Sequence, residues 1–292
     1  MKFFAHAALT SLLAISTSGC GTAVPSLQEF PSAPGDEQLL VQAIIASIHC
    51  EVANAVVEFI EADKLNAANN RGKRSGAWLD GWGAQVSLTL TINEKTSANP
   101  TGVWTPPASG NSIFTLGAGV AGAATAIRTS KANFFYTVKQ LYREKQPGKN
   151  TVCTAGIQPS RGAPSLLVRN DLKLGDWLFD QLASSANNEV TFPVSSEGNW
   201  GQNVLSQEIS FQVVTSGNVT PAWQLVRANF NQSGPFLEAS RDRTSDLLVT
   251  FGPLDPKQDN KGLIPQAENI HFAQQLGLAQ MNRPTVNVSI FP

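Results

Sequence analysis

Charge is what this sequence has least of. Only 15% of its 292 residues are Asp, Glu, Lys or Arg, and they nearly cancel, to a net −1. Without a basic face nothing neutralises phosphate, so no nucleic-acid partner is expected. Histidine is also scarce: of three, only His49 and His271 lie beyond the first twenty residues. Neither has a Cys or carboxylate at metal-ligand spacing such as H-E-x-x-H, so no metal is expected. His49 is followed by Cys50, but consecutive helical residues lie about 100° apart and do not face each other. There is no G-x-S-x-G elbow and no Walker loop. Gly117 to Gly122 has G-x-G-x-x-G spacing, yet Lys139 stands near the position of the acidic residue a dinucleotide site requires. No catalytic residue and no cofactor is therefore assigned.

What is present is enough to fold. Apolar residues make up 42%, six of them Trp, and polarity comes mainly from Ser, Thr, Asn and Gln. The apolar run Phe3–Ile15 follows a single Lys and is too short to cross a bilayer, as in a signal-peptide core. It is followed by Thr17-Ser18-Gly19-Cys20. Small residues ending in Cys resemble the lipobox of bacterial lipoproteins. The resemblance implies that residues 1–19 are a signal peptide, that Cys20 is acylated, and that the chain is exported. By the sorting rule of that family, Gly21 in place of an Asp implies the outer membrane, facing the periplasm or the cell surface. The membrane would then be a partner through lipid, with residues 20–36 as the tether. Cys50 and Cys153 form a candidate disulfide in that compartment; the alternative is two buried thiols, Cys50 lying in an apolar helix.

The expected class is α+β. Asp36 is a candidate N-cap, and Leu40, Ile44, Ile48, Val52, Val56 and Ile60 recur every four residues, with Glu51, Glu58 and Glu61 opposite. From Ala84 the period becomes two, with Val86, Leu88, Leu90 and Ile92 on one face. Further strands are expected at 112–128, 133–141, 189–194, 205–215, 222–230, 245–251 and 286–290. Helices are expected at 176–186 and 267–281.

The two halves carry short matching segments, as an internal duplication would leave. Thr96-Ser97-Ala98-Asn99 matches Thr215-Ser216-Gly217-Asn218, and Trp104 matches Trp223, both 119 residues on. Trp82-Gly83 matches Trp200-Gly201 at 118, and Arg128-Thr129-Ser130 matches Arg243-Thr244-Ser245 at 115. An internal duplication predicts two units, 37–160 and 161–292, each a helix with an antiparallel sheet. The second adds a C-terminal helix and strand. The matched Trp residues are expected in the core.

Arg241-Asp242-Arg243 is the densest charge cluster, and Arg241 and Arg243 are candidate contacts for an anion or a partner. The leading functional expectation is a non-catalytic, lipid-anchored binding or structural module in the periplasm, with another envelope protein as a candidate partner. The first alternative is an outer-membrane pore or secretion component lending strands to an oligomeric barrel. The second is a hydrolase of envelope polymers.

Overall fold

The computed structural model describes residues 22–27, 36–69, 72–107, 114–144, 165–187, 189–192, 203–224, 227–231 and 235–281. The signal peptide, Cys20, Cys153, Trp200 and the strand expected at 286–290 lie outside them. Helix α1 (Asp36–Asn69) leads through a 3-10 turn (Ala77–Gly81) into β1 (Trp82–Ala98), β2 (Thr101–Trp104), β3 (Leu116–Gly119) and β4 (Gly122–Thr137). Helices α2 (Val138–Glu144), α3 (Leu166–Arg169) and α4 (Leu174–Ala186) follow. The sequence long strand, short, short, long then recurs: β5 (Leu205–Val219), β6 (Trp223–Gln224), β7 (Ala228–Phe230) and β8 (Leu237–Pro253). Helix α5 (Pro265–Met281) closes the described chain. The fold is α+β.

The long strands form one sheet in the order β4-β1-β8-β5, and the short ones another in the order β3-β2-β7-β6. Hydrogen bonds fix the register of the long sheet. Ser87 bonds Asn133 and Thr91 bonds Thr129; in both pairs the residue numbers total 220, as antiparallel facing residues must. Between β5 and β8 the constant total is 456, from Ser206 with Thr250 and Ser210 with Asp246. Between β1 and β8 it is 335, from Gly81 with Leu254, Glu94 with Arg241, and Asn99 with Phe236. No bulge interrupts that central pair.

The chain divides into two compact units that differ from the two sequence halves. Unit 1 holds residues up to Leu27, Thr91–Thr129 and Gln212–Arg243; unit 2 holds Gln28–Leu90, Ser130–Phe211 and Thr244 onward. Each long strand contributes one end to each unit.

Unit 2 carries the core. The apolar stripe of α1 is buried as its period requires, from Leu40 to Ile60, and the helix packs against α2, α3 and α4. By length and composition α1 could cross a bilayer, but Ile44, Ile48, Val52, Val56 and Phe59 are buried inside the unit. It runs through to Asn69. Near its end the buried Asp63 accepts the Gly76 backbone N–H at 2.9 Å and Arg74 Nε at 2.8 Å, which anchors the returning loop. Glu51, expected to face solvent, accepts the Leu172 N–H at 3.0 Å instead, and burial raises its pKa. Phe59, Trp78, Trp82 and Phe192 stack edge-on or tilted, with centroids 4.4–5.8 Å apart.

Several boundaries differ from the sequence pattern. The small-residue run 112–128 contains two strands, β3 and β4, because the chain leaves the short sheet at Val120-Ala121 and enters the long one. The strand expected over 133–141 ends at Thr137, whose hydroxyl accepts the Gln140 N–H at 3.1 Å and starts α2. Val138 and Leu141 are buried from helical rather than alternating positions. Residues 189–192 form no strand.

Helix α5 lies against the other face of the unit 2 sheet. A Cβ at Gly252 would sit 2.8 Å from the Ala267 Cβ, so glycine sets this approach. Gly252→Val is expected to cost about 1–3 kcal/mol by overpacking, read as a lowered urea midpoint. An unchanged midpoint would show that α5 moves aside freely.

Candidate functional site

The buried face beneath α5 holds the arrangement nearest to a catalytic one. His271 Nε2 lies 2.7 Å from Ser87 Oγ, and His271 Nδ1 lies 2.8 Å from Thr250 Oγ1. Counting protons decides its character. Ser87 has one hydroxyl proton and gives it to Asn133 Oδ1 at 2.6 Å, so Nε2–H of a neutral His271 donates to Ser87. Thr250 then donates to Nδ1 and accepts from Ser206 at 2.9 Å. The chain is satisfied from end to end, and no base is left to activate Ser87. Burial lowers the His271 pKa to about 4, which keeps the ring neutral. This is a packing network. Among the described residues no group of three or more His, Cys, Asp or Glu could hold a metal ion.

Unit 1 presents the other candidates, beginning with a charged face. The registers place Glu94, Arg128, Arg241 and Arg243 on one side of the sheet. Arg241 Nε meets Glu94 Oε1 at 3.1 Å, and its Nη2 donates to Ser26 O at 2.6 Å and Ser26 Oγ at 3.0 Å. Arg128 donates to Pro25 O at 3.1 Å. Leu27 is buried. What Arg241 and Arg128 grip is thus the chain's own segment Thr22–Leu27, which is no free tether over that length. Arg243 is buried too. Cys50 is disulfide-bonded; the other two cysteines lie outside the described residues.

The short sheet presents an apolar face. Trp104 faces Leu116 on one side and Ala228 on the other, and Gly102 faces Ala118 and Phe230. Trp104 and Gly102 are two apart, so all six share a face. Trp104, Leu116 and Phe230 are 50%, 51% and 45% exposed, which corrects the expectation that Trp104 packs in a core. An open cavity of about 370 Å³ adjoins it, lined by Pro100, Gly102, Ala118, Val120, Phe230 and Phe236 among others.

The third feature is a pair of open edges. Among the described residues, strands β4 and β5 end the long sheet. Their outer ends, Gly122–Thr129 and Gln212–Val219, contain no Lys, Pro or acidic residue, and Arg128 is the one charge among the residues that could blunt an edge. Residues 212 and 214–219 of β5 are all exposed, and Cβ atoms at Gly122 and Gly217 would meet nothing within 4 Å. Sequence reading missed these edges, since strand order decides which strands lie outermost.

No family model matches this chain, and no curated protein matches it. Among solved structures, it is compared with the secretin InvG of the Salmonella SPI-1 type III secretion injectisome. In the open-gate state (residues 176 to the end) identity is 10%, with 71% of this chain and 68% of that chain covered and a TM-score of 0.14. The InvG secretin-domain β-barrel gives 9% identity, coverage of 71% and 72%, and a TM-score of 0.12. Scores this low transfer no fold.

Proposed function

We propose that this protein is a lipid-anchored subunit of the bacterial envelope that assembles with copies of itself, edge to edge, into a β-barrel. The carrying observation is the pair of open edges. Within the chain the strands alternate in direction, and the outermost two, β4 and β5, run oppositely. A β5 edge placed beside the β4 edge of another copy therefore continues the antiparallel alternation. Such a contact is head to tail, and a head-to-tail contact that closes makes a ring. Closure also removes the two unprotected edges. The exposed apolar face around Trp104 and Leu116 would then repeat around the ring, as a surface for lipid or a second envelope protein.

Full-length protein extracted from membranes in mild detergent is expected to run as a defined oligomer in light scattering. Ser216→Pro is expected to convert it to a folded monomer. In the internal β1–β8 joint, Gly81 and Asn99 take part in the ladder bonds, marking the odd positions of β1 as hydrogen-bonded. The 119-residue repeat step makes their β5 counterparts even-numbered, so the Ser216 N–H points to the open edge, where Pro costs the isolated chain little. A monomeric wild type would leave the simpler binding module as the better reading.

A further inference from the structure

Resting on that assembly reading, we infer that β5 of one copy pairs with β4 of the next in a specific register, with Val214 opposite the partner's Ala123. The template is the joint the chain already contains. Two hairpins stand side by side, β4-β1 and β8-β5, and they meet where β1 pairs with β8. If the hairpins are equivalent, the contact of β5 with the partner's β4 repeats that of β1 with β8. The short sheet has the same order, hairpin β3-β2 beside hairpin β7-β6.

Two alignments of the repeat give two registers. Thr96–Asn99 on Thr215–Asn218 carries β1 onto β5 by 119 residues, and the hairpin registers then carry β4 onto β8 by 117. Lys95 faces Ser240 in the internal joint; its counterpart is Val214, and that of Ser240 is Ala123. The alternative, Arg128–Ser130 on Arg243–Ser245, puts Val214 opposite the partner's Ile127 and leaves all strand ends flush.

Barrel geometry chooses between them. Strands in a closed barrel tilt by about 35–45°, and closure needs a matching stagger. With a rise of about 3.3 Å per residue and about 4.8 Å between strands, that is roughly one residue per strand. Four strands per copy therefore need a slip of about four residues. Inside the chain the facing pairs are flush: Ala98 meets Gly122 and Leu237, and Leu237 meets Val219. The slip has to fall at the joint between copies. The Thr96 alignment supplies four residues and the Arg128 alignment supplies none.

Val214 and Ala123 are exposed, and the registers put them on one face of the continued sheet. A hydrogen-bonded antiparallel pair has Cα atoms about 5.5 Å apart, within disulfide range. Full-length protein carrying Val214→Cys with Ala123→Cys, oxidised in mild detergent, is expected to give a ladder of covalent multimers on a non-reducing gel. Either substitution alone gives none, and reductant collapses the ladder. A ladder from Val214→Cys with Ile127→Cys, and not from the first pair, would overturn the register while leaving the assembly standing. No ladder from either pair, with a monomer in light scattering, would overturn both.

Discussion

Trp82→Ala is expected to destabilise unit 2 by about 3–5 kcal/mol, the range for removing a buried aromatic side chain. Trp82 is 0% exposed and touches Trp78 and Phe192 at 4.6 and 5.8 Å between centroids. Alanine would leave a cavity ringed by aromatic groups that stiff rings cannot collapse to fill. Since domains are stable by only about 5–15 kcal/mol, much of the population would unfold at modest urea. Trp104→Ala is the contrast, because that ring is half exposed and its loss is expected to cost under about 1 kcal/mol. Urea titrations of the two variants decide the matter. Equal losses would mean that the two Trp residues share a structural role, as the repeat alone suggests.

The second large effect is acid lability through His271. Its folded pKa is about 4 against 6.5 for the free group. Between those values the unfolded chain binds a proton that the folded protein does not. The contribution is therefore full above pH 6.5, falls as pH drops, and is gone below about pH 4; its size is about 3 kcal/mol at about 1.4 per pKa unit. Glu51 and Glu208 work in the opposite direction, since burial raises both and favours their protonated forms in the fold. The clean observable is the difference between wild type and His271→Leu. The variant is expected to lose stability at pH 7.5 but to lack the steepest part of the acid slope. An identical slope in both proteins would rule His271 out as its source.

Some of this was legible in the pattern of residues. The four-residue apolar recurrence from Leu40 to Ile60 specifies a helix with one buried face, and it is buried. The alternation from Ala84 to Ile92 specifies a strand with one apolar face, and Val86, Leu88, Leu90 and Ile92 are buried; that α5 also covers Ser87 on the other face was not legible. Local periodicity determines such elements because each depends on neighbours within a turn or a pleat. The end of α1 and the strand-to-helix change at Thr137 were not legible. They hang on a buried carboxylate bonding Arg74 and Gly76, and on a single cap hydroxyl.

The candidate site divides the same way. Arg241 and Arg243 stand out as a charge cluster in a charge-poor chain, but their sequence says nothing of Glu94 or Ser26. Arg241 meets Ser26 from 215 residues away. Ser87 and His271 are 184 apart, and neither carries a local mark of the other. The sequence by itself determined the long helix from Asp36, the helices near 176–186 and 267–281, and the alternating strand from Ala84, because short-range period carries them. Which strands lie at the edge, whether Trp104 is buried, and what Arg241 holds were decided only by tertiary structure, since burial and pairing are properties of distant segments brought together.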